Sequence, residues 1–450
     1  MAGKLSWRER IAYTIGGLGL QTVYMFITTY FQAFMTDTLG IGAGAAGIIL
    51  VIARIWDGIN DPMCGVLADK TRTRWGSYRP WVVGGVIPAA VFGVLCFFSP
   101  NAGVTAKIIY IAIVYICFGM SFTAFDMPFG CLANTMTEDY DERGLLGVLR
   151  EIGSNAGQLV AAQVGGAILG AICGVGAYTS GAYMAAAAVL GAIMVASLVF
   201  CVINCKERVP NQGDPISFKM AFKGLFSNKH ALQLGVIVFM FILFLAFHMG
   251  WVYYYAVWYL GNPMLIAPLI TCVTAPAIVV LFFTAKIMQA LGKKNTIILG
   301  GAILILAGIL FLIGGTSVTM AYAASIVAGI GQSFPLAAVW ACIPDAADVG
   351  EAATGIRCPG MLFTYTSFML KVAGALCGGL ASLFLVIFGY DGMAAAQTAS
   401  CVQGIYWVNG LMVAIPGLLI ILCTLPYKLD RKAVQEATAK LQAAREKAQK

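Results

Sequence analysis

The sequence predicts an all-α membrane protein with twelve transmembrane helices in two six-helix halves and both termini in the cytoplasm. Three observations carry this. Of the 450 residues, 60% are hydrophobic and 11% charged, against roughly a quarter charged in an average soluble domain. Continuously apolar stretches of about 20 residues, enough to cross a hydrocarbon core, recur from end to end. Lysine and arginine concentrate in alternate connectors, the pattern that orients helical membrane proteins. A transmembrane β-barrel would alternate apolar and polar at every second residue, and these segments do not.

The spans are read as 11–36, 42–68, 80–99, 105–136, 143–173, 180–205, 230–260, 264–291, 295–314, 318–345, 357–389 and 401–427. The basic start "MAGKLSWRER" leads into an apolar run too long for a signal peptide and without a small-residue cleavage site, so it reads as a first span. Lys4, Arg8 and Arg10 precede span one, and Lys70, Arg72, Arg74 and Arg79 join spans two and three. Lys293 and Lys294 join spans eight and nine, and Lys428, Arg431 and Lys432 follow span twelve. The intervening connectors "GIGAGA", "GVGAYTSG", "GNPM" and "GGTSV" carry neither, and Lys107 is the outward exception. Both termini are then cytoplasmic, as an even span number requires.

Residues 1–205 form the first bundle, 206–229 a central cytoplasmic loop, 230–427 the second bundle and 428–450 a charged tail, read as a solvated helix. In the central loop Phe218, Phe222, Leu225 and Phe226 fall at helical spacing and predict a short interfacial helix. "GSYRPWVVGG" at 76–85 is echoed by "GKKNTIILGG" at 292–301, each entering the third span of its half. That echo predicts two halves related by an axis along the membrane normal, the plan of alternating-access transporters.

Several classes are set aside. The net charge of +8 resides in short connectors and is no nucleic-acid footprint. The 13 cysteines are scattered singly, as at Cys96, Cys117, Cys173 and Cys272. There is no CxxC pair, and two histidines complete no zinc set, so cysteine is read as small apolar packing. No nucleophile–base or metal set supports an enzyme, and no filter-like motif supports a channel. His248 reads as a core residue, the crowd from Trp251 to Tyr259 as mostly an interfacial belt. The Gly153/Gly157 and Gly374/Gly378 pairs read as close-packing devices.

What remains is a short set of charges inside the spans. An ionised group at mid-membrane costs on the order of 3 kcal/mol, so each needs a partner, an ion or a wet cavity. The set is Arg54, Asp57 and Asp61 in span two, Asp126 in span four, Arg150 in span five and Lys371 in span eleven. Positions 54, 57 and 61 share one helix face, with Asn60 beside the two acids. Carboxylates one turn apart repel unless a cation or proton lies between them, and Asp57, Asn60 and Asp61 offer oxygens of the kind a hard cation prefers. Thr123 and Asp126 lie one turn apart on span four. Two readings are open: a sodium-type cation site between spans two and four, or a static network of Arg54, Asp57, Asp61 and Lys371. Arg150 reads as cavity-facing or as a snorkelling side chain, and Lys371 is too deep in its span to snorkel easily.

The stretch "RIWDGINDPMCGVLADKTRTRWGSYRPW" (54–81) resembles the signature of the glycoside–pentoside–hexuronide:cation symporters of the major facilitator superfamily. Trp56, Asp57, Asn60, Asp61, Pro62, Gly65, Thr71, Arg74, Trp75, Gly76 and Pro80 all fall in pattern. "FDMPFG" (125–130), "GEAATGIRC" (350–358) and Lys371 support the likeness, which covers essentially the whole chain. The resemblance implies the major facilitator fold in the cell (inner) membrane. It also implies symport of a monovalent cation with a sugar or glycoside, no cofactor beyond the coupling Na+ or H+, and a monomer that binds no nucleic acid. It places the cation site on Asp57, Asn60, Asp61 and Thr123, with Na+ held at Asp57 and Asp61. It places Asp126, Arg150, Lys371 and Tyr24 at the substrate, and Arg54 and Lys371 in the coupling network.

Two family positions depart. A second sugar-binding carboxylate would lie at Gly17, and a tryptophan that stacks on galactose would lie at Gly130. The general sugar plan then survives without the α-galactoside grip. Arg54, Arg150 and Lys371 balance Asp57, Asp61 and Asp126 before a cation binds, so a loaded site is net positive and could suit a hexuronide; neutral pentosides and β-glycosides are equally open. A cytoplasmic gate is expected from Asp69, Arg72, Arg74 and Arg79 against Glu138, Asp139, Asp141 or Glu142. H+ coupling and a lysolipid substrate are the alternatives within the superfamily.

Overall fold

The computed structural model describes residues 5–137, 140–174, 178–208, 218–354 and 359–427. Among them the secondary structure is helical, with one isolated bridge between Thr73 and Gly76 and no strand. Helix α1 spans Trp7–Ala33 and runs on through a π-helical turn, Phe34–Thr38. Next come α2 (Ala43–Lys70), α3 (Arg79–Leu95), α4 (Val104–Met136), α5 (Tyr140–Cys173) and α6 (Ser180–Asn204). Short helix α7 (Phe218–Ser227) falls where the phenylalanine spacing placed it. Then α8 (Lys229–Tyr254) continues in a π-helical turn, Tyr255–Tyr259. Last come α9 (Ile266–Leu291), α10 (Lys293–Gly314), α11 (Val318–Thr354), α12 (Pro359–Ile387) and α13 (Ala399–Thr424). The tail from residue 428 and the middle of the central loop lie outside the described residues.

Ten of these helices, with their continuations, are long and apolar enough to cross a membrane. Helix α3 is apolar but has 17 residues. Helix α2 has 28 residues, about 42 Å at 1.5 Å per residue, and carries the charges singled out above. The first helix starts four residues earlier than its apolar run. A capping box sets the start: Glu9 N–H donates to Ser6 Oγ at 3.3 Å, and Ser6 N–H donates to Glu9 Oε2 at 3.1 Å.

The chain divides into two compact units. The first holds Met1–Gln212, Met249–Ala275 and Gly378–Tyr406; the second holds Gly213–His248, Pro276–Cys377 and Trp407–Lys450. In the first, α1 packs on α5 and α6, α3 on α4 and α6, and α2 on α4. Small residues allow this, because lipid tails are as apolar as leucine and only close packing favours helix contact. A Cβ at Gly153 would overlap the Thr14 carbonyl oxygen, and one at Gly157 that of Leu18. In the second unit a Cβ at Gly301 would lie 2.8 Å from Gly417 O, and one at Gly308 would lie 2.7 Å from Gly410 O, so α10 and α13 touch backbone to backbone.

Two sequence expectations change here. Gly374 has nothing within 4 Å of its Cβ position, while Gly378 meets the Leu50 side chain at 3.0 Å. Only the second of that pair is a packing glycine. The aromatic crowd after His248 is core, not belt: Trp251, Tyr253, Tyr254 and Tyr255 are all buried. They turn inward because Trp251 Nε1 donates to the Ile405 carbonyl at 3.1 Å and the Tyr253 ring meets Tyr30 edge-on at 6.3 Å. His248 is buried between the rings of Phe244 and Phe311, as a core residue.

The internal echo holds at the connectors. Gly76 and Gly292 both have positive φ, +111° and +81°, just before α3 and α10. Arg79 then donates to Val202 O near the end of α6, and Lys294 to Leu425 O just past α13.

Candidate functional site

Helix α2 carries Arg54 and Asp57 one turn apart on one side, and Asn60 a turn beyond Asp57, rotated toward α3. Arg54 Nη1 donates to Asp57 Oδ2 at 3.2 Å. Its Nη2 donates to the Tyr24 hydroxyl of α1 at 3.3 Å, and the guanidinium lies 5.7 Å from the Tyr24 ring centroid. Tyr24 packs on Phe122 of α4 with centroids 5.0 Å apart. Tyr24, expected at the substrate, thus sits with the charge network. Asp57 itself is buried, pressed toward α4 at Gly119, where a Cβ would lie 2.7 Å from Asp57 Oδ1. Thr123, also buried, and Asp126 follow Gly119 on the same face of α4 at i+4 and i+7.

Asn60 is buried, accepts a long bond from Cys64 Sγ at 3.5 Å, and leaves its Nδ2 without a partner. It lines an open, mostly apolar groove of about 450 Å³ between α2, α3 and α4, together with Trp81, Met120 and Ser121. The Asp61 side chain lies outside the described residues. The acid paired with Arg54, and the buried Thr123 hydroxyl one turn along α4 from Gly119, offer oxygens of the kind a small hard cation prefers.

One Gly119 consequence is testable. In Gly119→Ala the Asp57 carboxylate must retreat by several tenths of an ångström. A destabilisation of about 1–3 kcal/mol is expected, the usual range for overpacking, read by thermal unfolding of the purified protein.

The second cluster lies between α4 and α5. Arg150 Nη2 donates to Asp126 Oδ1 at 3.1 Å, with 30% and 25% of the two side chains exposed. The guanidinium lies 5.5 Å from the Phe129 ring centroid, and Phe129 stacks on Tyr13 at 4.7 Å. Gly130 makes this possible: a Cβ there would be 3.0 Å from Arg150 Nη1. Where the family pattern has a tryptophan, the Arg150 guanidinium itself lies against the bare Gly130 backbone. Pro128, inside α4, cannot donate to the helical ladder and loosens the turn carrying Asp126 and Gly130. The partly exposed pair is a polar platform of the kind that grips sugar hydroxyls or an acidic group.

Gly17 requires a correction. The resemblance gives it a substrate position, yet a Cβ there would lie 2.7 Å from Arg150 O. It faces the α5 backbone, because α1 and α5 approach too closely for any side chain there. Lys371 belongs to the second unit, half-buried on α12.

The basic strip after α2 is organised by Glu207, an acid in the connector after α6. The Glu207 carboxylate accepts from the N–H groups of Ser77, Tyr78 and Arg79 at 2.8, 2.9 and 3.0 Å. An acid at the first turn of α3 also complements the helix dipole. Arg72 donates to Ser77 Oγ at 2.9 Å, and Arg79 Nε to Val202 O at 2.9 Å. Arg74 is exposed. Of the acids expected opposite the strip, Glu142 pairs with Arg10 at 2.5 Å, and the side chains of Asp69, Glu138, Asp139 and Asp141 lie outside the described residues. Glu207→Ala is expected to cost about 2 kcal/mol, since three backbone donors lose a charged acceptor; thermal unfolding of the purified protein checks it.

A helical bundle of membrane-crossing segments with charged side chains gathered at two interhelical clusters defines a polytopic membrane transporter. The comparisons agree. The family model described as MFS/sugar transport protein matches residues 12–431. An uncharacterized symporter of Bacillus subtilis (strain 168) is 29% identical, covering 98% of this chain and 95% of the relative. An inner membrane symporter of Escherichia coli (strain K12) is 28% identical over 92% and 90% of the two chains. An isoprimeverose transporter of Lactiplantibacillus pentosus is 27% identical over 94% and 89%. Among solved structures, a bacterial homolog of the human lysosomal transporter Spinster, in an inward-facing and unoccupied conformation, matches with a TM-score of 0.66. That match has 12% identity and covers 96% and 97% of the chains, and it shows the fold alone. The chain belongs to the MFS/sugar transport protein family. It is a multi-pass transporter of the cell membrane, not an enzyme, and the resemblance carried by residues 54–81 is borne out.

Proposed function

We propose that this protein is a secondary active symporter that couples a cation, sodium, to a sugar or glycoside by alternating access. Twelve spans are proposed, with α2 and α3 completing the ten apolar ones, and both termini cytoplasmic. The observation that carries the cation half is the placement of buried Asp57 between Arg54 and the bare backbone of Gly119, one turn from Thr123. A carboxylate kept in a membrane bundle against a helix made narrow for it has a partner to exchange, and a small cation that displaces Arg54 fits. The cation ligands proposed are Asp57, Asn60, Asp61 and Thr123.

The sugar half is proposed at Asp126 and Arg150. By linkage, a cation that raises sugar affinity is held more tightly by the same factor when sugar is bound. Relatives are named for isoprimeverose and for a glucuronide, and another is a putative sulfoquinovose importer. Neutral glycosides and acidic sugars are both represented there. The Arg150 guanidinium, partly exposed beside Gly130, supports testing acidic sugars first.

Uptake by proteoliposomes of labelled neutral glycosides and uronides, with sodium or proton gradients imposed separately, tests this. Saturable uptake driven by sodium is the expected result. Uptake driven by a proton gradient alone would replace sodium by H+, and no sugar uptake under either gradient would overturn the reading.

A further inference from the structure

The apolar run of span one ends at residue 36, which places Asp37 in a connector by sequence. In the structure the helix continues past it through the π-helical turn Phe34–Thr38, and the Asp37 carboxylate collects hydroxyl groups from elements far apart in sequence. Tyr253 of α8 donates to Oδ2 at 2.9 Å. Tyr390, in the connector after α12, donates to Oδ1 at 2.8 Å. Thr36 donates to Oδ1 at 2.6 Å. Trp258 Nε1 donates in turn to the Tyr390 hydroxyl at 2.9 Å. All belong to the first compact unit.

The surroundings are shaped to this contact. A Cβ at Gly392 would lie 2.6 Å from Thr36 O and 2.8 Å from Asp37 Oδ1, so the connector closes onto the turn only because it has glycine there. About one turn back, Gln32 Nε2 donates to Ser382 Oγ at 3.1 Å. Two π-helical turns flank the site, Phe34–Thr38 with Asp37 and Tyr255–Tyr259 with Trp258. Such turns add a residue to the helix and concentrate at functional sites. Burial, then the neighbouring Asp37 carboxylate, hold the Tyr390 phenol well above its ordinary range, so it remains a donor.

The chemistry of the joint is informative. Among the described residues Asp37 makes no ion pair. A carboxylate held by neutral hydroxyls separates without stranding a buried cation, because water takes the place of each donor. An apolar seam or a buried salt bridge would resist parting far more.

We propose that Asp37 is a latch: its bonds to Tyr253 and Tyr390 hold together the face at which α1 ends, and they break when that face opens during transport. On the orientation proposed above this is the outer face, and the inference rests on the transporter reading for its role in the cycle.

Hydrogen exchange of the full-length protein in nanodiscs tests the latch without any sugar. Asp37→Asn and the double variant Tyr253→Phe/Tyr390→Phe are compared with the native protein. Exchange in peptides covering 253–262 and 387–398 is expected to rise about tenfold or more in each variant, the effect of losing bonds to a charged acceptor. Peptides from α10 and α11 are expected to stay unchanged. Adding Asp37→Asn to the double variant should raise exchange no further. Unchanged exchange in those two peptides overturns the latch, as does faster exchange throughout the chain, which marks a general folding role. A further rise in the triple variant also overturns it, because the carboxylate would then act through other contacts. Absence of sugar uptake by the native protein strikes the symporter reading and leaves the exchange result to judge the joint.

Discussion

Asp57→Asn is expected to abolish cation-stimulated sugar uptake, bringing the rate with a gradient down to the rate without one. The amide preserves size and one acceptor but removes the charge that would hold a cation in a medium where water cannot substitute. The loss of coupling should reach about a hundredfold or more, since a charged ligand in such a site is worth at least 3 kcal/mol. The same change leaves Arg54 without the carboxylate 3.2 Å away, so the variant should also unfold more readily, by about 3 kcal/mol. The two effects separate in the double variant Arg54→Gln/Asp57→Asn. Stability should return toward that of the native protein while coupling stays absent. Full sodium stimulation in the single variant would remove Asp57 from the cation site.

The second large effect is expected at Gly17. Gly17→Asp restores a carboxylate that the family pattern has at this position, yet it should prevent assembly and not create a galactoside site. Its Cβ alone would stand 2.7 Å from Arg150 O, which sets the added carboxylate beside a carbonyl oxygen that repels it. Overpacking against fixed backbone together with a buried charge beside a carbonyl oxygen costs about 4 kcal/mol, a large share of the stability of a typical domain. Loss of the monodisperse peak in size-exclusion chromatography is the measurement. Gly17→Ala should be milder, about 1–3 kcal/mol for pushing α1 from α5. A stable Gly17→Asp protein would mean that the two helices separate more easily than their packing implies.

Much of this was legible in the chain. Helical membrane architecture follows from apolar length, and α2 stood out because it alone places three ionisable residues at i, i+3 and i+7 within a span. The Gly153/Gly157 pair was readable because small residues four apart make a flat strip on a helix. Asp126 and Arg150 were readable as costly charges, and they meet as an ion pair. Asp37 was missed through a boundary only two residues short, since apolarity ends before the π-helical turn does. Glu207 was missed because a connector acid looks solvated until its partners, three backbone N–H groups some 130 residues earlier, are known. Gly119 carries no chemistry of its own, so nothing in the sequence marks it.

The sequence by itself determined the solvent this protein lives in, the identity of its costly charges and the family signature at residues 54–81. Those follow from composition and from spacing along one helix, which are local quantities. Only the tertiary structure decided which of those charges are already paired, which glycines admit a neighbour's backbone, and which aromatic rings face inward. Whether a missing side chain lies against a movable neighbour, as the Arg150 guanidinium at Gly130, or against fixed backbone, as at Gly17, depends on helix separations of a few ångströms. Those separations are set by many packing contacts at once, and no local pattern encodes them.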